Sequence, residues 1–357
     1  MVILKRSGIL LSLLLATGCS VNETDQETEG VGEQERAAEV VIENLDVPWE
    51  ITKSEETFYL TERAGTIVTY EKGEIERQSV QLSVPIHHEG EGGLLGLQLA
   101  PDFSTSKSAF IYHTYHKEGN TFNRVVKVVL KDGEWRETKE LLANIPGSLY
   151  HNGGRVKVGP DEMLYITTGD AGNPKLAQDV NSTAGKILRM TLSGTTPNDN
   201  PFRGSLVYSY GHRNPQGLAW DDKDQLYSSE HGQSAHDEIN KIEAGKNYGW
   251  PVIEGDKKEQ GMETPLYHSG NNTWAPSGIV VKDNKLYMAG LRGEEIRAFK
   301  LNGHESEVII DGIGRIRSIF QEHNMIYAIT NNKDGRGKAI KGDDRMVKTE
   351  IELISSK

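Results

Sequence analysis

Along most of the chain, apolar and polar residues alternate with a period of two, in short runs broken by Gly, Asp and Asn. Period two is the spacing of a strand with one buried face, and the breaks are turn chemistry, so the pattern predicts strands joined by hairpins. One signature recurs inside it, an apolar residue followed by tyrosine. It stands at Phe58-Tyr59, Ile111-Tyr112, Leu164-Tyr165, Leu226-Tyr227, Leu286-Tyr287 and Ile326-Tyr327, with Tyr-to-Tyr spacings of 53, 53, 62, 60 and 40 residues. Several of these pairs close an alternating run and a polar turn, as in GGRVKVGPDEMLY, QGLAWDDKDQLY, SGIVVKDNKLY and RSIFQEHNMIY. Most are followed by another alternating run, such as GKILRMTL or EEIRAFKL. Six repeats of this length predict an all-β fold, a six-bladed β-propeller, over residues 39–357. A β-sandwich is the alternative, and it requires six pairs to fall near register by chance.

The repeat gives the unusual residues an address. His151 lies 14 residues before Tyr165, Arg213 14 before Tyr227, and Trp274 13 before Tyr287; Trp49 and Arg317 each lie 10 before their tyrosine. All stand just ahead of the first strand of their repeat. Equivalent loops of a propeller emerge on one face, so these side chains can converge at the mouth of the central channel, with Trp274 a candidate substrate contact.

The N-terminus breaks the pattern. Residues 1–19 carry Lys5 and Arg6, then an apolar run, then Ala16-Thr17-Gly18-Cys19, which reads as an export signal. The chain's single cysteine sits where a bacterial lipobox places it, so the segment resembles a lipoprotein signal with Cys19 as the lipidation site. An ordinary signal peptide is the alternative. Residues 20–38 hold six carboxylates and one Arg with no hydrophobic period, the composition of a disordered acidic tether. The protein is thus expected outside the cytoplasm, lipid-anchored to the cell membrane. With one cysteine, no internal disulfide can form. A net charge of −12 argues against nucleic acid as a partner.

His151, in YHNGGRV, is the candidate general base, because a neutral imidazole can take a proton from a hydroxyl near pH 7. Asp170, in TTGDAG, follows in the same repeat and can orient the ring. Arg213 and Asn214 in GHRNPQG, Arg292 in GLRGEE, and Arg315 and Arg317 in GRIRSIF place cations at bends and strand starts. Together they imply an anionic ligand with several carboxylates or phosphates. The stretch SSEHGQSAHDEINKIEAGKNYGWP is dense in oxygen ligands, among them Glu230, Asp237, Glu238 and Asn240, and can hold a hard cation such as Ca²⁺. A turn-rich loop with a solvated acidic face is the alternative.

The motifs EGGLLGLQLAPDF, HNGGRVKVGPDEMLYITTGD, AQDVNSTAGKILRM, YGHRNPQGLAWD, EHGQSAHDEINKIEAGKNYGWP, APSGIVV and RIRSI occur in that order. In this the body of the chain resembles the soluble quinoprotein glucose/sorbosone dehydrogenases, above all their aldose sugar dehydrogenase branch. The resemblance implies a six-bladed propeller, the tricarboxylate cofactor pyrroloquinoline quinone (PQQ), Ca²⁺, an aldose substrate oxidised at C1 to a lactone, and an external electron acceptor. It implies His151 as base with Asp170 supporting it, and Glu91, Arg213, Asn214, Arg292, Arg315 and Arg317 at the cofactor. Gly232 and Gln233 match positions whose carbonyls bind catalytic calcium; Glu238 and Tyr248 match a second calcium site. Glu91 stands where Gln is usual, which sets an anion against the cofactor's carboxylates unless it is protonated or turned away. Arg292 replaces a Lys. Two other readings are a non-catalytic sugar- or protein-binding propeller and a calcium-dependent propeller lactonase.

Overall fold

The computed structural model describes residues 38–351. Among them it is all-β, with two single-turn helices, Phe103–Ser106 and Lys175–Gln178. The Cys19 and tether expectations lie outside the described residues. Three four-stranded antiparallel sheets follow the chain in simple order. They are Val156–Val158, Leu164–Thr168, Lys186–Met190 and Val207–Tyr210; then Pro215–Trp220, Leu226–Glu230, Glu238–Ile242 and Tyr267–His268; then Pro276–Lys282, Lys285–Gly290, Ile296–Lys300 and Ser306–Ile310. A fourth sheet joins the two ends of the described chain: Glu39–Ile42 pairs antiparallel with Met346–Glu350, beside Met325–Thr330 and Ile316–Glu322. The eight-stranded sheet is two such meanders. The outer strand Glu74–Gln81 of one meets the outer strand Glu134–Pro146 of the other in a short parallel pairing, Val80 to Trp135 and Gln81 to Arg136.

Each apolar-Tyr pair falls on the second strand of its meander. Successive strand residues point to opposite faces of a sheet. The pair therefore reaches into two different cores. Phe58 packs with Leu60 and Met346, while Tyr59 packs with Leu97 and Trp135. Ile111 joins the cluster of Tyr59, and Tyr112 joins Trp49 and Leu164. Tyr165 meets Leu226, Tyr227 meets Leu286, and Tyr287 meets Ile326. Tyr327 returns to the cluster of Phe58 and closes the circle. Each buried aromatic or aliphatic member contributes about 1.5–3 kcal/mol of burial, and loss of one loosens two neighbouring sheets together.

The first strands of successive meanders also touch in a closed cycle. This is the arrangement of a β-propeller. Buried polar groups tie these inner strands together. Arg155 donates from Nε to the Gln216 carbonyl at 2.7 Å, pairs with Glu50, and lies 4.2 Å over the Trp49 ring. This layer stands beneath the loops that carry the site, since Gln216 also reaches upward to Arg317 and His231.

A candidate active site at the loop mouth

His151 sits in the left-handed region at φ 61°, and Gly153 and Gly154 follow at φ 62° and 109°. Three such residues within four positions turn the chain sharply between Pro146 and Val156. The turn is pressed onto its neighbour: a Cβ on Gly169 would lie 1.9 Å from the His151 carbonyl oxygen. That close approach brings His151 Nδ1 to 2.7 Å from Asp170 Oδ1. Asp170 is fully buried and itself fixed. Its Oδ2 accepts from Trp250 Nε1 at 2.8 Å, its Oδ1 accepts from the Gly172 N–H at 2.8 Å, and its own N–H donates to the Arg213 carbonyl at 2.8 Å. With Nδ1 engaged by the carboxylate, the lone pair of the neutral ring is at Nε2, and the ring lines an open cleft.

Eight of the residues singled out in the sequence line this cleft: Glu91, His151, Arg213, Asn214, Gly232, Gln233, Asp237 and Arg292. Asn214 Oδ1 accepts the Gly153 N–H at 3.0 Å and so sets the turn beyond the base. Arg213 lies 5.3 Å over the Trp250 ring and donates to the His231 carbonyl at 3.3 Å. Burial depresses its pKa, with Asp170 and Glu230 opposing. Arg292 is exposed on the opposite wall.

Arg315 and Arg317 are buried and do not line the cleft; Arg315 is bonded to the chain neighbour of Arg292, and Arg317 to Gln216 on the strand that follows Arg213. Arg315 donates to the carbonyl of Leu291 at 3.1 Å and pairs with Asp334 at 2.9 Å. Arg317 donates to Gln216 Oε1 at 2.8 Å and Asn331 Oδ1 at 3.1 Å, both uncharged. Burial pushes Arg317 down to about 9; Asp334 opposes the shift and Arg315 adds to it. The Nε atoms of Arg213, Arg315 and Arg317 are all buried without a partner. Buried polar groups are rarely left so, and three on adjacent arginines mark a place made for an anion.

Glu91 is neither protonated nor turned away. Burial alone would raise its pKa, but Arg336 and His231 outweigh it, together with hydrogen bonds from Arg336 and the His151 N–H, and hold it at about 2. Trp274 stands apart from the cleft residues: its neighbours Thr273 and Ala275 line the cleft, while its indole packs at 5.2 Å on Phe299. Trp250 supplies the aromatic face beside Arg213 instead. Asp237, read as a possible cation ligand, is a loop fastener. Its Oδ2 accepts from the N–H groups of Trp274 and Ala275 and from Thr273 Oγ1, and its Oδ1 accepts from the Gly232 N–H, so Oδ2 is fully engaged and Oδ1 keeps one lone pair.

Glu238 and Tyr248 line a second, smaller void with Glu230 and Glu254. Glu230 and Glu238 are direct cross-strand partners, an unfavourable placement for two carboxylates. Burial, then the charge of Glu230, pushes Glu238 up to about 8. Asn240, bonded to Glu238 at 3.1 Å through Nδ2, keeps a buried Oδ1 that finds no donor. Among the described residues no three His, Cys, Asp or Glu side chains converge as metal ligands, so any cation here leans on backbone oxygens.

Sequence reasoning missed Trp250, His231 and Arg336. Trp250 had a local signal in GKNYGWP; Arg336, in KDGRGK, had none, because its meaning depends on a partner 245 residues away.

The glucose/sorbosone dehydrogenase family profile matches residues 45–341. The chain belongs to this family. It is 33% identical to quinoprotein glucose dehydrogenase B of Acinetobacter calcoaceticus, over 65% of this chain and 56% of that one. It is 28% identical to aldose sugar dehydrogenase YliI of Escherichia coli over 83% of this chain and 90% of the relative. Among solved structures, the PQQ-bound form of the aldose sugar dehydrogenase of Streptomyces coelicolor is 36% identical, with a TM-score of 0.83 over 89% of this chain and 99% of that one. Family membership makes the chain an oxidoreductase.

The hold of Trp250 on Asp170 is tested by Trp250→Phe, which keeps an aromatic side chain and removes the indole Nε1–H. Turnover is expected to fall roughly tenfold, the effect of one buried hydrogen bond to a charged group, in steady-state assays. Unchanged turnover would show that the Gly172 N–H and the His151 ring suffice to hold the carboxylate.

Proposed function

We propose that this chain is a PQQ- and Ca²⁺-dependent aldose sugar dehydrogenase. It oxidises the sugar at C1 to a lactone and passes the electrons to an external acceptor. The observation that carries the reading is the set of three buried, unpartnered arginine Nε atoms, on Arg213, whose carbonyl holds Asp170, and on Arg315 and Arg317. A tricarboxylate fits that set, and relatives named as quinoproteins and as PQQ-bound support it. The fold is read as six blades: four separate sheets plus the two halves of the eight-stranded sheet, supported by the closed cycle of first strands.

The residues also fit calcium. At Gly232 a Cβ would lie 1.9 Å from the Ala235 carbonyl oxygen, so only glycine permits that loop of converging carbonyls. Glu238, with Glu230 opposite and the unsatisfied Asn240 Oδ1 beside it, gains from a dication what it lacks in this structure. Gly232 and Gln233 would hold one ion, Glu238 and the Tyr248 carbonyl a second.

When bound, PQQ supplies the acceptor for an electron pair and Ca²⁺ the Lewis acid that polarises it. The chain's part is positional and acid–base. Arg213 and Arg292, which line the cleft, together with the buried Arg315 and Arg317, would hold the cofactor's carboxylates. His151 Nε2 takes the proton of the anomeric hydroxyl as C1 is oxidised. Asp170 holds the Nδ1–H, fixes the tautomer and stabilises the imidazolium that results.

Titration of metal-stripped protein with PQQ, with and without Ca²⁺, tests this, followed by an aldose and a dye acceptor. Calcium-dependent PQQ binding and dye reduction are expected. A protein that binds no PQQ in the presence of calcium overturns the reading.

A further inference from the structure

Bonded to Glu91 of the cleft lining stands one more cation, which the reading above leaves without a role. Arg336 stands on the segment between Met325–Thr330 and Met346–Glu350. Its Nη1 meets Glu91 Oε1 at 2.8 Å, and its guanidinium lies 5.6 Å over the Tyr150 ring. The other Glu91 oxygen accepts the His151 N–H at 3.1 Å, and the Glu91 N–H donates to the Leu149 carbonyl at 2.7 Å. Glu91 is thus fixed against the turn that carries the base, with Arg336 on its far side. The segment is fixed in turn: Asp334 takes the Arg336 N–H at 2.9 Å on Oδ1 and the Arg315 guanidinium at 2.9 Å on Oδ2. One carboxylate therefore anchors both Arg315, of the anion site, and Arg336.

We propose that Arg336 is a charge-compensating, positioning residue of the cofactor site: paired with Glu91, it removes the net negative charge that Glu91 would otherwise present to the cofactor's carboxylates. The inference rests on the PQQ reading. Its logic is electrostatic. Glu91 lines the same cleft as Arg213, Asn214 and Arg292, so a bare carboxylate there subtracts from the attraction those cations exert. A pair of opposite charges in contact is nearly neutral to a third charge beyond it. Glu91 and Arg336 act as one neutral unit, so replacing either partner alone changes the charge of the wall, while replacing both does not. The two substitutions should therefore act in opposite directions on cofactor binding and cancel when combined.

The test is a binding cycle on full-length apo protein with Ca²⁺ present, using PQQ itself as the probe and titration calorimetry as the readout. Arg336→Gln is expected to weaken PQQ binding on the order of tenfold. Glu91→Gln is expected to tighten it by a similar factor, because Arg336 is then uncompensated while the amide oxygen can still accept the His151 N–H. The double variant Glu91→Gln/Arg336→Gln returns to within about threefold of wild type, and Arg336→Lys, which keeps the charge, loses less than Arg336→Gln. A misfolded Arg336→Gln protein would not be rescued by a second substitution, so rescue separates a charge effect from a structural one. Equal affinities for wild type and Arg336→Gln overturn the inference and leave the PQQ reading standing. A double variant as weak as Arg336→Gln does the same. Wild-type protein that binds no PQQ removes both.

Discussion

Replacing His151 by alanine is expected to lower aldose turnover by about 10²–10⁴-fold while PQQ affinity stays within a few-fold of wild type. The size follows from what the ring does. It contributes one base, at one atom, to one proton transfer, and a general base of this kind is typically worth that range. The sparing of cofactor affinity follows from the geometry. His151 holds Asp170 through Nδ1 and meets Glu91 through its backbone N–H, which alanine retains. None of the guanidinium contacts of Arg213, Arg315 or Arg317 involves the imidazole. The substitution removes the proton acceptor and leaves the anion site intact. One cost is local: at φ 61° alanine is strained, as histidine already is, so the turn itself has no new reason to move. Single-turnover reduction of bound cofactor measures the chemical step, and calorimetry measures affinity. Turnover equal to wild type sinks the base assignment; a parallel collapse of affinity would instead make His151 a structural part of the cofactor site.

What the sequence revealed of this architecture was its period. The apolar-Tyr pairs were visible because they do two jobs at once, one residue per face, and burial on both faces restricts both positions. Their role as links between successive cores, Leu164 to one cluster and Tyr165 to the next, needed the sheet stacking to be seen. The dyad was legible as a pair of titratable residues in one repeat, since His151 and Asp170 are brought together by the two turns that bracket Val156–Val158 and Leu164–Thr168. The environment of that dyad was not. Trp250 reaches Asp170 from 80 residues away, and Arg336 reaches Glu91 from 245. Such contacts carry no local period, so pattern reading is blind to them. Trp274 shows the opposite error: equivalent register placed its backbone at the mouth, but the rotamer sent the indole to Phe299, and register does not determine rotamer.

Replacing Arg317 by methionine is expected to change stability and binding in opposite directions. Apo protein should unfold at the same or higher temperature than wild type, while PQQ affinity falls by about 10²-fold, the order expected when one partner of a desolvated charge pair is truncated. Arg317 is buried, has only the neutral acceptors Gln216 and Asn331, and is repelled by Arg315. A guanidinium so placed stays charged at neutral pH, and its depressed pKa measures the cost of keeping it so, a few kcal/mol against the empty protein. The sign is that of a base with a lowered folded pKa: the penalty is fully present below about 9 and eases only as pH rises above it. Methionine fills similar volume without the charge, and its thioether leaves Gln216 still facing His231 and Asn331 still bonded to Pro48. The penalty is therefore removed in the apo state and the anion contact is lost in the bound one. Thermal unfolding with and without saturating PQQ reads both terms, because ligand that binds only the folded state raises the midpoint in proportion to its affinity. A variant that is destabilised when empty yet binds PQQ as wild type does would show that Arg317 is a structural arginine, and the anion site would then rest on Arg213, Arg292 and Arg315 alone.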